Sequence, residues 1–146
     1  MTVRLATLAD IPAMLEYAQI AYSHSNYNGL PYNAVITRRT FKGAMLDKDS
    51  RTWISTQGNR VVGLLIGQVG PHPWSAAMCA TDLVFVAKAG GAGLLRAFMA
   101  WCKARKVARI DMGVSQGDPS GRIDRLYQKV GMTRTGGMYY WQENMK

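Results

Sequence analysis

The chain has 146 residues, 48% hydrophobic and 18% charged, with 18 Lys and Arg against 9 Asp and Glu, a formal net charge of +9. This length suits a single domain over residues 1–146 that buries roughly 70% of its unfolded surface without staples, and the balance excludes a disordered chain. No apolar run approaches the ~18 residues of a membrane span, no basic-then-apolar leader opens the sequence, and Cys79, Cys102, His24 and His72 are too few and too scattered for a disulfide framework or a metal cluster. A cytoplasmic protein with reduced thiols, no metal and no membrane partner is expected.

Residues 2–6 read as a strand. Thr7 and Asp10 have the spacing of a helix-capping pair, and Ile11, Met14, Leu15, Ala18 and Ala21 then recur at helical spacing. Residues 22–33 form a polar and aromatic loop rich in turn formers, and a second helix is predicted over 37–46 with Phe41, Met45 and Leu46 inward. Strands are predicted over 51–57 and 60–69 across Gly58-Asn59, and over 78–86 after the Pro71-His72-Pro73-Trp74 turn. A helix opening at Gly93 carries Leu94, Phe98, Trp101 and Cys102 on one face and Arg96, Lys103 and Lys106 on the other. A strand over 108–114, a loop over 115–121, a short helix over 122–129 and a last strand over 138–142 follow. The order β-α-α-β-β-β-α-β-α-β describes an α/β (α+β) chain with a mixed sheet and flanking helices.

The most informative stretch runs from Asp82 to Leu95, where an apolar strand passes through a basic, glycine-rich turn into an amphipathic helix. Unpaired N–H groups at a helix start, reinforced by the macrodipole, form a seat for an anion such as a pyrophosphate, and glycines allow close approach. The same glycines are equally explained by the needs of a tight strand-to-helix turn. Much of the positive charge follows this point, at Arg96, Lys103, Arg105, Lys106, Arg109, Arg122, Arg125, Lys129 and Arg134. Such a cluster suits an anionic partner or a solvated helix face. Neither helix-turn-helix spacing, zinc ligands nor a paired-aromatic sheet motif accompanies it, so no specific nucleic-acid partner is expected.

Further along stands Leu126-Tyr127-Gln128-Lys129-Val130-Gly131-Met132. With Lys88, Gly91 and Gly93 of the glycine turn, and with Val3-Arg4-Leu5-Ala6-Thr7-Leu8-Ala9-Asp10-Ile11 at the start, it resembles the GNAT superfamily of acyl-CoA-dependent N-acetyltransferases across essentially the whole chain. The resemblance implies the GNAT fold, acetyl-CoA as co-substrate and direct acetyl transfer to a primary amine. It implies a pantetheine seated between the strand ending at Val86 and the strand beginning at Ala108, along the backbone of Phe85 and Val86. Lys88 and the amides of Ala89, Gly90, Gly91, Ala92, Gly93 and Leu94 would hold the pyrophosphate.

The resemblance also assigns roles in the transfer. Tyr127 matches the tyrosine that faces the coenzyme sulfur, and a phenol with a pKa near ~10 stays protonated at neutral pH to donate to a thiolate. Its bland reading is a ring packed in the core. Asp82 stands where family members keep a carboxylate base, while a salt bridge would equally explain an aspartate in an apolar strand. Glu16 and Asp111 are weaker candidates. The 22–33 loop, the second helix and the Pro71–Trp74 turn would meet the acceptor, with Tyr27, Tyr32 and Trp74 either shaping a pocket or packing the loops. The amine stays open among a peptide N-terminus, a lysine, a polyamine and a small metabolite.

The sequence departs from the family pattern in three places. Lysine replaces the usual glutamine or arginine of the phosphate loop, the loop lacks its customary proline and arginine, and Val114-Ser115-Gln116 replaces the asparagine that often follows the next strand. Compact proteins of this resemblance also occur in tailed-phage genomes, some as virion components. The alternative reading is therefore a catalytically degenerate fold kept for assembly, with a virion location and a virion partner or homodimer contact.

Overall fold

The computed structural model describes residues 1–114 and 120–143. The elements are β1 (Thr2–Leu5), α1 (Ile11–Ser23), α2 (Ala34–Leu46), β2 (Ser50–Gln57), β3 (Arg60–Pro71), β4 (Met78–Ala87), α3 (Gly91–Ala104), β5 (Arg109–Asp111) and α4 (Arg122–Lys129). The strands form one sheet in the order β1-β2-β3-β4-β5, antiparallel except for the parallel β4–β5 pair.

Local chemistry fixes the helix starts. Thr7 and Asp10 form the expected capping box on a 3-10 turn ahead of α1. The Asp10 carboxylate accepts the Thr7 N–H at 2.7 Å and takes both arms of the Arg4 guanidinium at 2.8 and 2.9 Å. That bidentate bond to Arg4 is the main reason its carboxyl lies well below the usual range. Asn33 accepts the Ile36 N–H at 3.0 Å, so α2 starts at Ala34, ahead of the predicted boundary.

The sheet is covered on both faces, which explains why β3 reads as a nearly continuous apolar run. Trp53 and Leu65 point to one face, against Leu94, Leu95, Phe98, Trp101 and Cys102 of α3. Ile54, Leu64 and Ile66 point to the other, against Met14 of α1 and Phe41 and Ala44 of α2. Burying each such Leu, Ile or Phe contributes about 1.5–3 kcal/mol. Trp53 meets Phe98 and Trp101 edge-on, with ring centroids 6.0 and 5.6 Å apart. Arg105 stacks on Trp101 with its guanidinium 5.5 Å from the ring and pairs with Asp49 at 2.8 Å. One of the clustered cations is thereby used to hold the end of α3 to the sheet. Cys79 and Cys102 are both free thiols, and burial pushes the Cys102 thiol up to about 11.

Several expectations need correction. Leu46, expected inward on α2, is exposed at the end of the helix. α3 opens at Gly91 rather than Gly93, because Gly90 turns the chain at φ +82 directly before it. β5 is confined to Arg109–Asp111 and does not extend to residue 114. The last strand over 138–142 does not form: with β5 so short there is no ladder for it to join, and Met138, Tyr139, Tyr140 and Trp141 are exposed. The loop predicted over 115–121 lies outside the described residues up to position 119.

Phe98 is wholly buried against the bare backbone of Gly67, where a Cβ would run into its ring. Gly67→Ala should therefore cost about 1–3 kcal/mol by overpacking. Gly70→Ala, on the same strand with open space where the Cβ would go, should stay within about 0.5 kcal/mol of wild type. Urea unfolding of the two variants checks the contrast.

Candidate active site

The site is built where β4 outruns β5. The parallel ladder pairs Cys79 with Arg109, Ala80 with Ile110 and Thr81 with Asp111, and then stops, while β4 continues to Ala87. On its other side β4 stays paired with β3, but the register shifts between Ile66 and Gly67, which pair with Val84 and Asp82. Leu83 is thus an extra residue on β4, a bulge at the point of separation. A bulge reverses the side-chain alternation and bends its strand. Ala80 accordingly joins the α3 face before it and Phe85 after it, while Val84 and Val86 turn to the α1–α2 face.

Two of the sequence-predicted residues meet at this fork. The Asp82 carboxylate lies 3.5 Å from the Gly113 N–H, a long contact, and the Tyr127 hydroxyl donates to the Gly113 carbonyl at 2.8 Å. Asp82 from β4 and Tyr127 from α4 therefore flank the first stretch of chain beyond β5. Tyr127 also packs on Phe85, with ring centroids 6.4 Å apart. Burial pushes the Asp82 carboxyl above the usual carboxylate range, with the Gly113 N–H pulling in the opposite direction. Asp111 is paired with Arg109 at 2.8 Å, and Glu16 is exposed on α1, so neither competes for the base role.

The glycine turn is anchored from three sides. The Lys88 N–H donates to Val62 O and to the Tyr17 hydroxyl, each at 2.9 Å, and the Ala89 N–H donates to Val62 O at 3.2 Å. The buried Ser55 hydroxyl donates to Ala89 O at 2.7 Å. Leu94 N–H is already bonded to Gly90 O. Of the amides singled out for a pyrophosphate, those of Ala89 and Leu94 are thus engaged, as is the backbone N–H of Lys88. The N–H groups of Gly91, Ala92 and Gly93 in the first turn of α3 have no partner among the described residues. The Lys88 side chain is exposed beside them.

Two cavities flank the fork. One, of about 770 Å³, lies among Tyr27, Val114, Tyr127 and the chain from Met132 to Glu143. The other, of about 350 Å³, lies between α1, α2 and the Leu83–Val86 stretch of β4, and Tyr32 lines it. Tyr27 lines both, whereas Trp74 is 93% exposed and lines neither. The segment expected as the last strand instead runs across the larger cavity: Met138 lies over Gly113, and Gln142 covers Gly29. No His, Cys, Asp or Glu group suited to a metal occurs among the described residues.

Sequence reasoning missed Tyr17, Ser55 and Gly113. Tyr17 stands three residues after Met14 on the inward face of α1, and a phenol there requires a partner for its hydroxyl. Ser55 lies in a strand buried on both faces, so its hydroxyl requires an acceptor as well. Gly113 acts through its backbone and leaves no side-chain signal.

No known family profile matches the sequence, and no curated protein matches it. Solved structures do. A tetramutant of the BH1408 protein from Bacillus halodurans is 17% identical, with 98% of this chain on 100% of that one at a TM-score of 0.75. A ribosomal-protein-alanine N-acetyltransferase from Brucella melitensis is 10% identical over 98% of this chain and 100% of its own, with a TM-score of 0.68. An aminoglycoside 6'-N-acetyltransferase from Acinetobacter haemolyticus is 10% identical over 100% of both chains, with a TM-score of 0.71. The chain has the GNAT acetyltransferase fold. No helix among the described residues is long and apolar enough to cross a membrane.

The raised pKa of Asp82 has a thermodynamic consequence. Ionised Asp82 costs stability above its folded-state pKa, and the cost fades as pH falls toward the unfolded carboxyl value near ~4. Asp82→Asn removes the charge while keeping an oxygen for the Gly113 N–H. Its Tm should exceed that of wild type at about pH 7 and converge with it below about pH 4. Thermal unfolding followed across pH checks this; a constant offset would assign the effect to something other than the charge.

Proposed function

We propose that the chain is an N-acetyltransferase that moves an acetyl group from acetyl-CoA directly to a primary amine. The observation that carries the reading is the fork, where Asp82 and Tyr127 converge on Gly113 beside an edge of β4 that is unpaired among the described residues. A strand edge without a neighbour offers N–H and C=O groups to the amides of a pantetheine, as it would to an added strand. The free N–H groups of Gly91, Ala92 and Gly93 suit its pyrophosphate, and Lys88 adds a cation beside them. The residues present thus fit the co-substrate.

Acetyl-CoA supplies the activated thioester carbonyl. The Asp82 carboxylate takes the proton from the acceptor ammonium, directly or through one water, and frees the nitrogen lone pair. The nitrogen bonds to the carbonyl carbon and the carbon–sulfur bond breaks. The Tyr127 hydroxyl turns from the Gly113 carbonyl to give its proton to the departing sulfur, and the second proton that the nitrogen releases as the amide forms returns to the Tyr127 phenolate, so the products are an N-acetyl amide and the CoA thiol. An elevated pKa suits Asp82 to the base role, because a carboxylate pushed above the usual carboxylate range is a stronger base than an ordinary one.

The competing reading, a fold kept only for assembly, expects the gap between β4 and β5 to be filled by the chain's own side chains, such as Phe85, Phe98 or Trp101. Phe98 and Trp101 instead lie in the core between α3 and the sheet, which supports the enzyme, whereas Phe85 packs on Tyr127 at the fork. The exposed run Met138–Trp141 is the feature that favours the competitor.

Gly91→Asp separates binding from folding. A carboxylate in the first turn of α3 favours the helix by about 0.3–1 kcal/mol, and the new Cβ meets only ordinary contacts. The same charge repels phosphate. Calorimetry should show one CoA per wild-type chain and none for the variant, whose Tm is unchanged or higher. Tyr127→Phe should keep CoA affinity and lower kcat by about 10²-fold in an assay of thiol release with a panel of amines. Absence of both CoA binding and thiol release in the wild type would overturn the proposal.

A further inference from the structure

The 350 Å³ cavity between α1, α2 and β4 has a chemical character of its own. Among the described residues no charged side chain lines it, although the chain carries a net charge of +9. Its walls are the rings of Tyr22, Tyr32 and Phe41, the side chains of Leu83, Val84 and Val86, and small residues of α1. Tyr22 and Tyr32 pack with ring centroids 5.4 Å apart, and the Tyr22 hydroxyl is committed to the Leu30 carbonyl at 2.8 Å. The Tyr32 hydroxyl is buried and has no hydrogen-bond partner. A buried phenol hydroxyl without a partner destabilises the folded chain, so a hydrogen-bonding group arriving in the cavity has something to satisfy.

The cavity adjoins the fork. Leu83, the bulged residue in its wall, directly follows Asp82, and Phe85, another wall residue, packs on Tyr127. Its volume falls in the lower part of the usual range of roughly 300–1,000 Å³ for small-molecule sites. A polycation entering it would lose its hydration without meeting a carboxylate, which is prohibitive in an apolar site.

The geometry points to this cavity as the seat of the acceptor's body, and to the acceptor class as a small primary amine on an uncharged apolar or aromatic frame, with a hydrogen-bonding group that reaches Tyr32. The inference rests on the acetyl-transfer reading and narrows it. It sets aside polyamines, aminoglycosides and lysine-rich peptides. The bulge at Leu83 aligns the two parts: the apolar frame rests against β4 on the α1–α2 face while its amine projects to the fork.

Binding of tyramine, 2-phenylethylamine and spermidine, measured by calorimetry on the full chain without CoA, reads the cavity alone. Tyramine should bind wild type about 3- to 10-fold more tightly than 2-phenylethylamine, the value of one hydrogen bond. In Tyr32→Phe that preference should disappear, and the variant should unfold at an equal or higher temperature because an unsatisfied hydroxyl has gone. Spermidine should bind neither protein measurably. Thiol release from acetyl-CoA with the same amines tests the transfer separately, so amine binding without thiol release would count against the transfer reading and leave the cavity assignment standing. Tighter binding of spermidine than of tyramine, or a tyramine preference untouched by Tyr32→Phe, would overturn the inference. So would a preference for hexanoyl-CoA over acetyl-CoA that a cavity-filling Ala21→Leu abolishes, since the cavity would then hold an acyl chain.

Discussion

Every feature of the candidate site depends on β4 continuing after its parallel neighbour has ended. A strand normally pairs its outer N–H and C=O groups with a neighbour or with water, and an unpaired edge inside a protein is costly unless something fills it. Here residues 82–87 of β4 run past the last β5 pair at Thr81–Asp111. The bulge at Leu83 bends the strand where the ladder ends, and Gly113 carries the departing chain between Asp82 and Tyr127. The gap is thus held open by contacts at its apex. The core supports this from below, because Phe98 presses on the bare backbone of Gly67, the residue paired with Asp82.

A second constraint acts at the far end of β4. The glycine turn is tied to β3 through Val62, to β2 through Ser55 and to α1 through Tyr17. These bonds consume the amides of Lys88 and Ala89 and turn the next ones outward in the first turn of α3. A turn held in this way is organised before a ligand arrives, which lowers the entropy lost on binding. It also narrows the anion seat to fewer amides than the family pattern implies, in keeping with a turn that lacks the customary proline and arginine. Of the clustered cations, Arg105 and Arg109 are occupied by Asp49 and Asp111, so the net charge of +9 overstates what an anion meets locally.

The helices and central strands were legible because their signals are local and periodic. The apolar run of β3, the helical spacing in α3 and the capping pair at Thr7 and Asp10 each depend on neighbouring residues only. The ends of elements were less legible because tertiary contacts decide them. Gly90, with φ +82, moved the start of α3, and the brevity of β5 left residues 138–142 without a strand to pair with although their pattern suits one. In the candidate site, Asp82, Lys88, Gly91 and Tyr127 were found through motifs. Gly113 and Ser55 escaped because their part lies in backbone geometry and in a contact spanning 34 residues. The Tyr32 hydroxyl escaped for the opposite reason: its significance is the absence of a partner, which only packing reveals.

The energetic compromises of the fold are concentrated rather than spread. Among the described residues, a carboxyl is buried at Asp82, a strand edge is left unpaired from residue 82 onward, and a phenol hydroxyl is left without a partner at Tyr32. Each of these destabilises the folded chain, and each borders the fork or the cavity beside it. The buried Thr52 hydroxyl is also unpartnered, and nothing in the structure explains it. A sequence shaped only for packing replaces such groups by apolar ones of the same shape at little cost. Their clustering around one opening is therefore better accounted for by a ligand that completes them than by a role confined to assembly. On the proposed reading, the burial that raises the Asp82 carboxyl also makes it a stronger base, so the same burial that costs stability favours proton transfer.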